Sequence, residues 1–330
     1  MNNINSKTPG TGLARGWKLF LTQNAQELTL FASLIVIMII MGVRSQAFFS
    51  LNNIIGIGRL SSFLGIVALG QSFVLLVGGI DLSVGSVIGF SGVFSATLLT
   101  QFGWSTPAVI IVTLTFGLCV GLFNGFLTTK VGVADFIVTL ASMTIVHGMI
   151  FALQKGNPVY IKNESFLILG KGLVGRVSYT IIIMVVLYII FHIVLTRMRF
   201  GRHVYATGGN VLAARLSGIK TDRVKIITYV MSSMMAAIVG MLVAAQMSSG
   251  NGSSGDNFLF DTITAVVLGG IALTGGAGTL IGTFIGVIII SVLTNGLAMF
   301  GMPYYYQEMI KGIILIAAVT VTAYRRLRQR

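Results

Sequence analysis

Only a few residue types in this chain could carry acid–base, nucleophilic or metal chemistry. Its 330 residues include eight Asp and Glu, three His and one Cys. The histidines His147, His192 and His203 match no metal-ligand spacing, and Cys119 lies within an apolar run, as a small packing residue would. There is no Gly-x4-Gly-Lys-Ser/Thr phosphate loop, no His-Glu-x-x-His and no Gly-x-Ser-x-Gly motif. We therefore expect no catalytic residue, no cofactor, no metal and no ATP bound through such a loop.

The carboxylates are the next candidates, because ion-coupled carriers keep buried carboxylates at mid-membrane to bind the coupling ion. Most of the eight acids lie near the ends of apolar segments. Glu308 lies inside one, but Lys311 follows three residues later on the same helix face, which favours a structural ion pair. Asp81 stands between two glycines and an apolar segment, where it can cap free backbone N–H groups or line a substrate path. Ion coupling is thus a secondary interpretation.

The elements that must position these residues are membrane-spanning helices. Hydrophobic residues make up 55% of the chain and charged residues 9%, whereas about 25% charged is usual in soluble domains. The mean hydropathy is +0.93. Because a span needs roughly 20 apolar residues, this composition supplies about eight to ten spans. The apolar runs are long and continuous rather than alternating, so we expect an all-α polytopic bundle rather than a β-barrel.

Ten apolar segments follow one another along the chain, and each is predicted to be a transmembrane helix. They are 28–43, 54–77, 82–100, 107–128, 133–153, 179–196, 226–247, 258–274, 279–300 and 304–323. Eight spans are the alternative, because some short, glycine-broken segments could be half-helices. The prediction is one transmembrane domain over 28–324, between a tail at 1–27 and a basic tail at 325–330.

The net charge of +14 is explained by membrane topology better than by a nucleic-acid partner. The basic residues stand in loops and tails and have no interleaved aromatic residues. With ten spans, most Lys and Arg fall on the side of the two termini, with a dense group from Arg197 to Lys225. The positive-inside rule then predicts that both termini and the loop 197–225 are cytoplasmic. We expect membrane lipid, not nucleic acid, around this chain.

Glycine is frequent, at 41 residues, and much of it recurs at every fourth position. The rows Gly117/Gly121/Gly125 and Gly278/Gly282/Gly286 would let helix backbones approach closely in lipid. Tight packing within the subunit is the preferred interpretation; a subunit interface or gating surface is the alternative.

A weak echo between Gly78-Gly79-Ile80-Asp81-Leu82-Ser83 and Gly269-Gly270-Ile271-Ala272-Leu273-Thr274 indicates an internal repeat, as in transporters built from duplicated halves.

The loop 197–225 carries the signals of a short helix of its own. Gly208-Gly209 predicts a turn, Asn210 an N-cap, Val211–Ser217 about two helical turns and Gly218 a C-terminal stop. The small side chains of Ala213 and Ala214 could enter another protein's groove, and Leu212 and Leu216 are four apart for an apolar contact. An amphipathic helix lying on the lipid surface is the alternative.

Extended motifs surround this helix and recur along the chain. One is Gly201-Arg202-x-x-Tyr205-Ala206-x-Gly208-Gly209-Asn210-x-x-Ala213-Ala214-x-x-x-Gly218-Ile219. It resembles the coupling loop of ABC importer permeases of the ribose and branched-chain amino-acid superfamily. Four more are similar to the monosaccharide branch of that family: Gly78-Gly79-Ile80-Asp81-Leu82-Ser83-Val84-Gly85, Phe136-Ile137-Val138-Thr139-Leu140, Gly275-Gly276-x-Gly278-Thr279-Leu280-Ile281-Gly282-Thr283 and Gln307-x-x-Ile310-Lys311-Gly312.

The resemblance implies a multi-pass transport subunit of a bacterial inner membrane that is not itself an enzyme. It implies three protein partners: a cytoplasmic ABC ATPase, an extracytoplasmic sugar-binding protein, and a second permease subunit, either the same chain or a paralogue. The residues implied to contact the ATPase are Asn210, Leu212, Ala213, Ala214, Arg215, Leu216 and Gly218. The family often has proline just before its Phe-Ile-Val-Thr-Leu motif, whereas Ala134-Asp135 stand here, so no role of Asp135 is transferred.

The expected substrate is a monosaccharide, a ribose-like pentose or a hexose. A furanose-like signalling molecule or a nucleoside is the alternative within the class, and an ion-coupled secondary carrier is the alternative outside it. A sugar path needs polar groups that replace water weakly enough to allow release. The candidates are Asp81, Ser83, Asn124, Thr139, Ser142 and Asn295. For each hydroxyl or amide, a hydrogen bond to its own helix backbone is the competing role.

Overall fold

The computed structural model describes residues 25–327, with the side chains of residues 27–320. In this part the chain forms thirteen α-helices: α1 (Ala25–Arg44), α2 (Leu51–Leu76), α3 (Val84–Thr100), α4 (Thr106–Phe126), α5 (Asp135–Gln154), α6 (Glu164–Lys171), α7 (Tyr179–Arg197), α8 (Arg199–Gly209), α9 (Val211–Leu216), α10 (Thr221–Met247), α11 (Asp256–Leu268), α12 (Leu280–Met299) and α13 (Tyr304–Leu327). The predicted tails at 1–27 and 325–330 lie mostly outside the described residues.

Short stretches of other structure connect these helices. Strand β1 (Val159–Tyr160) pairs antiparallel with β4 (Ser249–Gly250), and β2 (Leu173–Val174) pairs antiparallel with β3 (Val177–Ser178). The first pair places Val159 opposite Gly250 and so joins the connection after α5 to the connection after α10. Two 3₁₀ turns, Gln46–Phe49 and Gly252–Gly255, and a π-helical turn, Leu127–Val131, complete the connections between residues 25 and 327.

Each of the ten predicted apolar segments coincides with an α-helix, namely α1 to α5, α7 and α10 to α13. Within the described residues, seven of these are long and apolar enough to cross a membrane: α1, α2, α4, α5, α7, α10 and α12. Helix α3 has 17 residues and α11 only 13. Because about 20 residues are needed to span, α11 is a half-helix, as the alternative expectation allowed. The all-α polytopic bundle is confirmed.

Side-chain caps define where several of these helices begin. The Ser50 hydroxyl accepts from the Asn53 N–H before α2, and the Asn163 side chain accepts from Phe166 N–H at 3.1 Å before α6. Thr279 accepts from Gly282 N–H at 3.0 Å before α12. In each case a hydroxyl or amide oxygen satisfies an N–H that has no partner within the helix.

Helix α10 is the centre of the bundle and packs against α2, α3 and α4. The first predicted glycine row faces it from α4. A Cβ on Gly121 would lie 2.5 Å from the Val230 Cα, and one on Gly125 would lie 2.8 Å from the Ile226 Cα. Only hydrogen atoms in place of side chains allow this approach, which is how small residues associate helices in lipid. The preferred interpretation of this row, packing within the subunit, is confirmed.

The second glycine row packs within the subunit as well, between α12 and α11. A Cβ on Gly282 would lie 2.1 Å from the Gly269 oxygen, and one on Gly286 would lie 2.2 Å from the Ala265 oxygen. The two echo segments are both helix-to-helix connections, one after α2 and one after α11. These connections meet, because the Gly276 N–H donates a 2.9 Å hydrogen bond to the Leu76 oxygen.

A third glycine row, on α3, faces the connection that follows α10. A Cβ on Gly250 would lie 2.6 Å from the Gly92 oxygen, and one on Gly89 would lie 2.2 Å from the Gly252 oxygen. One helical turn further down, a Cβ on Gly255 would lie 1.9 Å from the oxygen of Gly85 in the first turn of α3. After α10 the chain therefore turns back and descends along α3 before the half-helix α11 begins.

Candidate functional site

The predicted coupling helix is present as α9. The Asn210 side chain accepts a 2.9 Å hydrogen bond from the Ala213 N–H, so the predicted N-cap is confirmed. At the other end Gly218 has φ +81°, and its N–H donates to the Arg215 oxygen. The left-handed backbone is accessible to glycine without steric cost, which explains the stop. The helix ends at Leu216, one residue before the predicted Ser217.

Two details of that prediction are wrong. Gly208-Gly209 forms no turn; both glycines complete α8, and the break falls at Asn210, whose backbone is extended. Ala214 is 4% exposed and faces its own chain, where α9 packs against α8 and α10. The outward face consists of Ala213 with Leu212 and Leu216, whose exposures are 69% and 82%. Residues two apart on a helix point to opposite sides, so Ala214 cannot share the face of Leu212 and Leu216.

Arg215 fixes α9 to the start of α10. Its guanidinium donates to Asp222 Oδ1 at 2.6 Å and to the Thr221 hydroxyl at 2.8 Å. The second oxygen of Asp222 accepts from Lys130 Nζ at 2.8 Å, and Lys130 lies on the turn after α4. Charge-assisted hydrogen bonds of this kind are stronger than neutral ones. The carboxylate of Asp222 therefore joins the coupling helix to two long helices.

Helix α8 lies between the coupling helix and two glycine-rich connections, 77–83 after α2 and 269–279 after α11. The Tyr205 hydroxyl donates a 2.8 Å hydrogen bond to the Gly278 oxygen, and burial raises the pKa of this hydroxyl, which keeps it a donor. A Cβ on Gly208 would lie 1.8 Å from the Leu76 oxygen. Gly276 lies against Gly209 on the same surface. The end of α8 thus contacts the last residue of α2 and the connection after α11 at once.

Four of the six predicted path residues form one chain of hydrogen bonds. Asp81 Oδ1 accepts from the Ser83 hydroxyl at 2.6 Å and from the Ser83 N–H at 2.9 Å. The Ser83 hydroxyl accepts from Asn124 Nδ2 at 3.0 Å, and the Ser142 hydroxyl donates to Asn124 Oδ1. The expected capping role of Asp81 is seen in part: it binds the N–H of Ser83, the residue before α3, rather than an N–H within the helix.

The other two candidates differ. Thr139 is buried nearby, and its hydroxyl donates to the Asp135 oxygen of its own helix at 2.9 Å and to the Ile80 oxygen at 3.4 Å. Asn295 is apart from the network, and its Nδ2 donates to Asn53 Oδ1 at 3.0 Å. Because the network residues are buried within one subunit, their visible role is to hold α3, α4 and α5 together. Their contact with a solute stays a prediction.

A second group of polar side chains lies toward the other end of the bundle, where α5, α11 and α13 meet. His147 Nε2 is 3.4 Å from Asp256 Oδ1, and the Tyr304 hydroxyl donates to Asn257 Oδ1. Next to these residues Lys311 donates to Asp261 at 2.9 Å and to Glu308 at 2.8 Å. The predicted pair Glu308–Lys311 is confirmed, with Asp261 as a further partner.

With this geometry in place, comparison with known families is decisive. A family model for the permease component of the branched-chain amino acid transport system matches residues 53–319. The chain belongs to this permease family. The match includes α9, the buried network and the residues around Asp256, and this permease is a multi-pass membrane protein.

Individual relatives cover almost the whole permease. It is 37% identical over 296 residues to the ribose import permease protein of Bacillus subtilis (strain 168), covering 89% of this chain and 92% of that protein. It is 36% identical to the L-arabinose ABC transporter permease protein of Azospirillum brasilense, covering 86% and 83%. It is 30% identical to the xylose transport system permease protein of Haemophilus influenzae (strain Rd), covering 90% and 96%. No solved structure matches significantly.

Sequence reasoning missed three features of this permease. The row Gly85-x3-Gly89-x2-Gly92 was readable from its spacing and would have indicated a close backbone approach to α3. The contact of Asp222 with Arg215 and Lys130 gave a weaker signal, an acid within a basic loop. The pairing of His147 with Asp256 gave none, because the two residues are far apart in sequence and their helices meet only in the fold.

Proposed function

We propose that this permease is the membrane subunit of an ABC importer for a monosaccharide, a ribose-like pentose or a hexose. An extracytoplasmic sugar-binding protein delivers the sugar, and a separate cytoplasmic ATPase drives its passage. A second permease subunit, the same chain or a paralogue, completes the membrane part. Within the structure, the exposed pair Leu212 and Leu216 on α9 supports the ATPase part of the proposal, because this apolar face lies outside the spans and fits docking of another protein.

The choice of sugar rests on the relatives. Their names give ribose, L-arabinose and xylose as the solutes of proteins that are 30% to 37% identical to this chain over most of its length. All three are pentoses with the same hydroxyl chemistry. A nucleoside or a furanose-like signalling molecule is less favoured, because none of these three relatives carries such a solute in its name.

The ATPase docks, in this proposal, on the outward face of α9. The contact of Arg215 with Asp222 joins α9 to α10, and the end of α8 contacts the last residue of α2 and the connection after α11. A push on α9 would therefore reach the bundle through two routes rather than be absorbed by a flexible loop. The positive charge from Arg197 to Lys225 supports a cytoplasmic position for this surface and for both termini.

The experiment that tests the proposal is reconstitution in liposomes. The permease, its ATPase and its sugar-binding protein should together accumulate radiolabelled D-ribose, L-arabinose or D-xylose when ATP is supplied on the ATPase side. The permease alone should hydrolyse no ATP and accumulate no sugar. Uptake by the permease alone, driven by a proton or sodium gradient, would instead establish an ion-coupled secondary carrier and reject the proposal.

A further inference from the structure

The polar side chains where α5, α11 and α13 come together have no part in the coupling surface or the buried network. These residues, His147, Asp256, Asn257 and Tyr304, together with the neighbouring Phe260 are here called the outer polar face. Asp256 and Asn257 are consecutive, yet they contact two different helices, α5 through His147 and α13 through Tyr304. The first turn of α11 therefore brings these three helices to one continuous surface.

This face lies at membrane depth. His147 is on α5, a helix long and apolar enough to span a membrane, seven residues before its end at Gln154. At 1.5 Å per residue that is about 10 Å below the end of the helix. Asp256 directly follows the turn that descends along α3 and contacts Gly85, in the first turn of α3. Both residues therefore lie within the apolar thickness rather than at the surface.

The side chains of the face are nevertheless open. His147 is 38% exposed and Asp256 51% exposed, and Asn257, Phe260 and Tyr304 are exposed as well. An ionisable side chain in contact with acyl chains is costly, and such residues face the bundle interior or a water-filled cavity instead. Lipid therefore does not cover this face. Either water or another protein surface must lie against it.

The chemistry of the face suits a sugar in transit. A carboxylate, an amide, an imidazole and a phenol offer donors and acceptors that can replace water on sugar hydroxyls, while the exposed ring of Phe260 offers an apolar surface to the C–H groups of the sugar. Asp261 and Glu308 behind the face both bind Lys311, so these three side chains are engaged with one another. These side chains lie on an exposed face, which permits the release that transport requires.

Resting on the proposed function, we infer that the outer polar face is the sugar-contacting wall of the outer half of the translocation path. The second permease subunit closes the path on the opposite side. The buried network of Asp81, Ser83, Asn124 and Ser142 is then a packing element of the bundle, and solute contact moves from it to Asp256, Asn257 and Phe260.

Water accessibility tests this inference without depending on sugar uptake. Starting from Cys119→Ser, the variants Asn257→Cys and Phe260→Cys are treated with a charged, membrane-impermeant thiol reagent in the assembled importer. The matched control is Ile111→Cys, at an exposed apolar position on α4 about 8 Å from the start of the helix at Thr106. Rapid labelling of the first two and none of Ile111→Cys is expected. Labelling of Asn257→Cys and Phe260→Cys no faster than that of Ile111→Cys would overturn the inference.

Function is tested with Asp256→Leu. If the face lines the path, uptake of the transported pentose should fall about tenfold or more, as for removal of a charged hydrogen-bonding group. ATP hydrolysis stimulated by the sugar-binding protein should persist. If the face touches lipid, the same change should raise thermal stability and leave uptake intact; if it is only a subunit interface, the permease pair should dissociate in native mass spectrometry. Either of these results would reject the inference.

The two proposals fail separately. If the wild-type importer accumulates none of the three pentoses, the proposed function fails, although labelling of Asn257→Cys still reports whether water reaches the face. If wild-type uptake is normal but Asn257→Cys and Phe260→Cys are unlabelled, only the assignment of the path fails. Should Asp256→Leu not fold, the cysteine variants still decide the matter, because they retain the contact of Asp256 with His147.

Discussion

The hydroxyl of Tyr205 and the carbonyl oxygen of Gly278 are joined by a 2.8 Å hydrogen bond. This contact connects α8, which leads into the coupling helix, to the glycine connection between α11 and α12. The same connection donates from Gly276 N–H to Leu76, the last residue of α2. These contacts place the end of α8 next to residues that flank both echo segments, which precede α3 and α12.

Removing the hydrogen bond between Tyr205 and Gly278 should weaken the link between α8 and the connection that precedes α12. Tyr205→Phe keeps the ring but leaves the Gly278 oxygen without its donor, at a cost of about 1 kcal/mol in the free energy of unfolding. We expect ATPase binding to remain and pentose uptake to fall several-fold. The control is Tyr160→Phe, since Tyr160 is 72% exposed. Uptake equal to wild type in Tyr205→Phe would show that the bond does not transmit motion.

The end of α8 offers a test with adjacent residues. A Cβ on Gly208 would lie 1.8 Å from the Leu76 oxygen, whereas a Cβ on Gly209 would meet no atom within 4 Å. Gly208→Ala should therefore destabilise the permease by about 3 kcal/mol or more through overpacking, while Gly209→Ala should be tolerated. Thermal unfolding in detergent compares the two. Equal stabilities would contradict the contact of α8 with α2.

The outward face of α9 should bind the ATPase. Leu216→Glu retains helix propensity but places a charge where we expect an apolar contact, so ATPase affinity should fall about tenfold or more. The matched control Leu216→Met keeps an apolar side chain at this position and should bind the ATPase with wild-type affinity. Both variants should fold normally, because Leu216 is exposed. Affinity is measured by co-purification and by binding of the isolated ATPase; an unchanged affinity for Leu216→Glu would argue for a helix that lies on lipid.

The behaviour of α9 also illustrates what the sequence can predict. Its N-cap at Asn210 and its stop at Gly218 depend on side chains and backbone angles within a few residues, so both were predictable. The sequence-based prediction placed the small Ala213 and Ala214 and the apolar pair Leu212 and Leu216 together on the face that meets a partner. Helical phase, with Leu212 and Leu216 opposite Ala214, was equally visible and was the better guide. Because Ala214 is buried, a larger side chain there would disturb the packing of α9 within its own chain rather than ATPase docking.

For the outer polar face, contacts between residues far apart in sequence limit what the sequence can predict. Apolar length was enough to predict a helix in each of the ten apolar segments, because hydropathy is summed over many residues. It was not enough to show that α11 begins deep in the bundle, since that depends on Gly252 and Gly255 fitting against Gly89 and Gly85. The exposure of Asp256 follows from this descent. In the sequence, Asp256 lies just before an apolar segment. Its position there did not indicate a functional residue.

The orientation of the permease can be tested with single cysteines in a Cys119→Ser background. Arg176 is exposed between β2 and β3, and Ser217 is exposed at the end of α9. We expect Arg176→Cys to react with an impermeant thiol reagent added outside intact cells, and Ser217→Cys to react only after the membrane is opened. The positive charge of the loop 197–225 requires this result. Labelling with the opposite sidedness would place both termini outside.

The last prediction concerns Asn124 in the buried network. A role in packing and a role in the sugar path predict different outcomes when this residue is changed. Its amide donates to Ser83 and accepts from Ser142, and all three side chains are buried. Asn124→Ala removes both of these hydrogen bonds. The buried hydroxyls of Ser83 and Ser142 are then left with fewer hydrogen bonds. The expected loss is about 2 to 4 kcal/mol in the free energy of unfolding, with the KM for the transported pentose unchanged.

Asn295→Ala is the matched control, because Asn295 donates to Asn53 in a half-buried position apart from the network. Its loss of stability should be smaller, about 1 kcal/mol. Thermal unfolding and the concentration dependence of uptake are measured on the same preparations. If Asn124→Ala retained wild-type stability while the KM for the pentose rose, Asn124 would belong to the path and the solute would pass through the network. A fall in stability alone assigns the network to holding α3, α4 and α5 together, which leaves the outer polar face to contact the sugar.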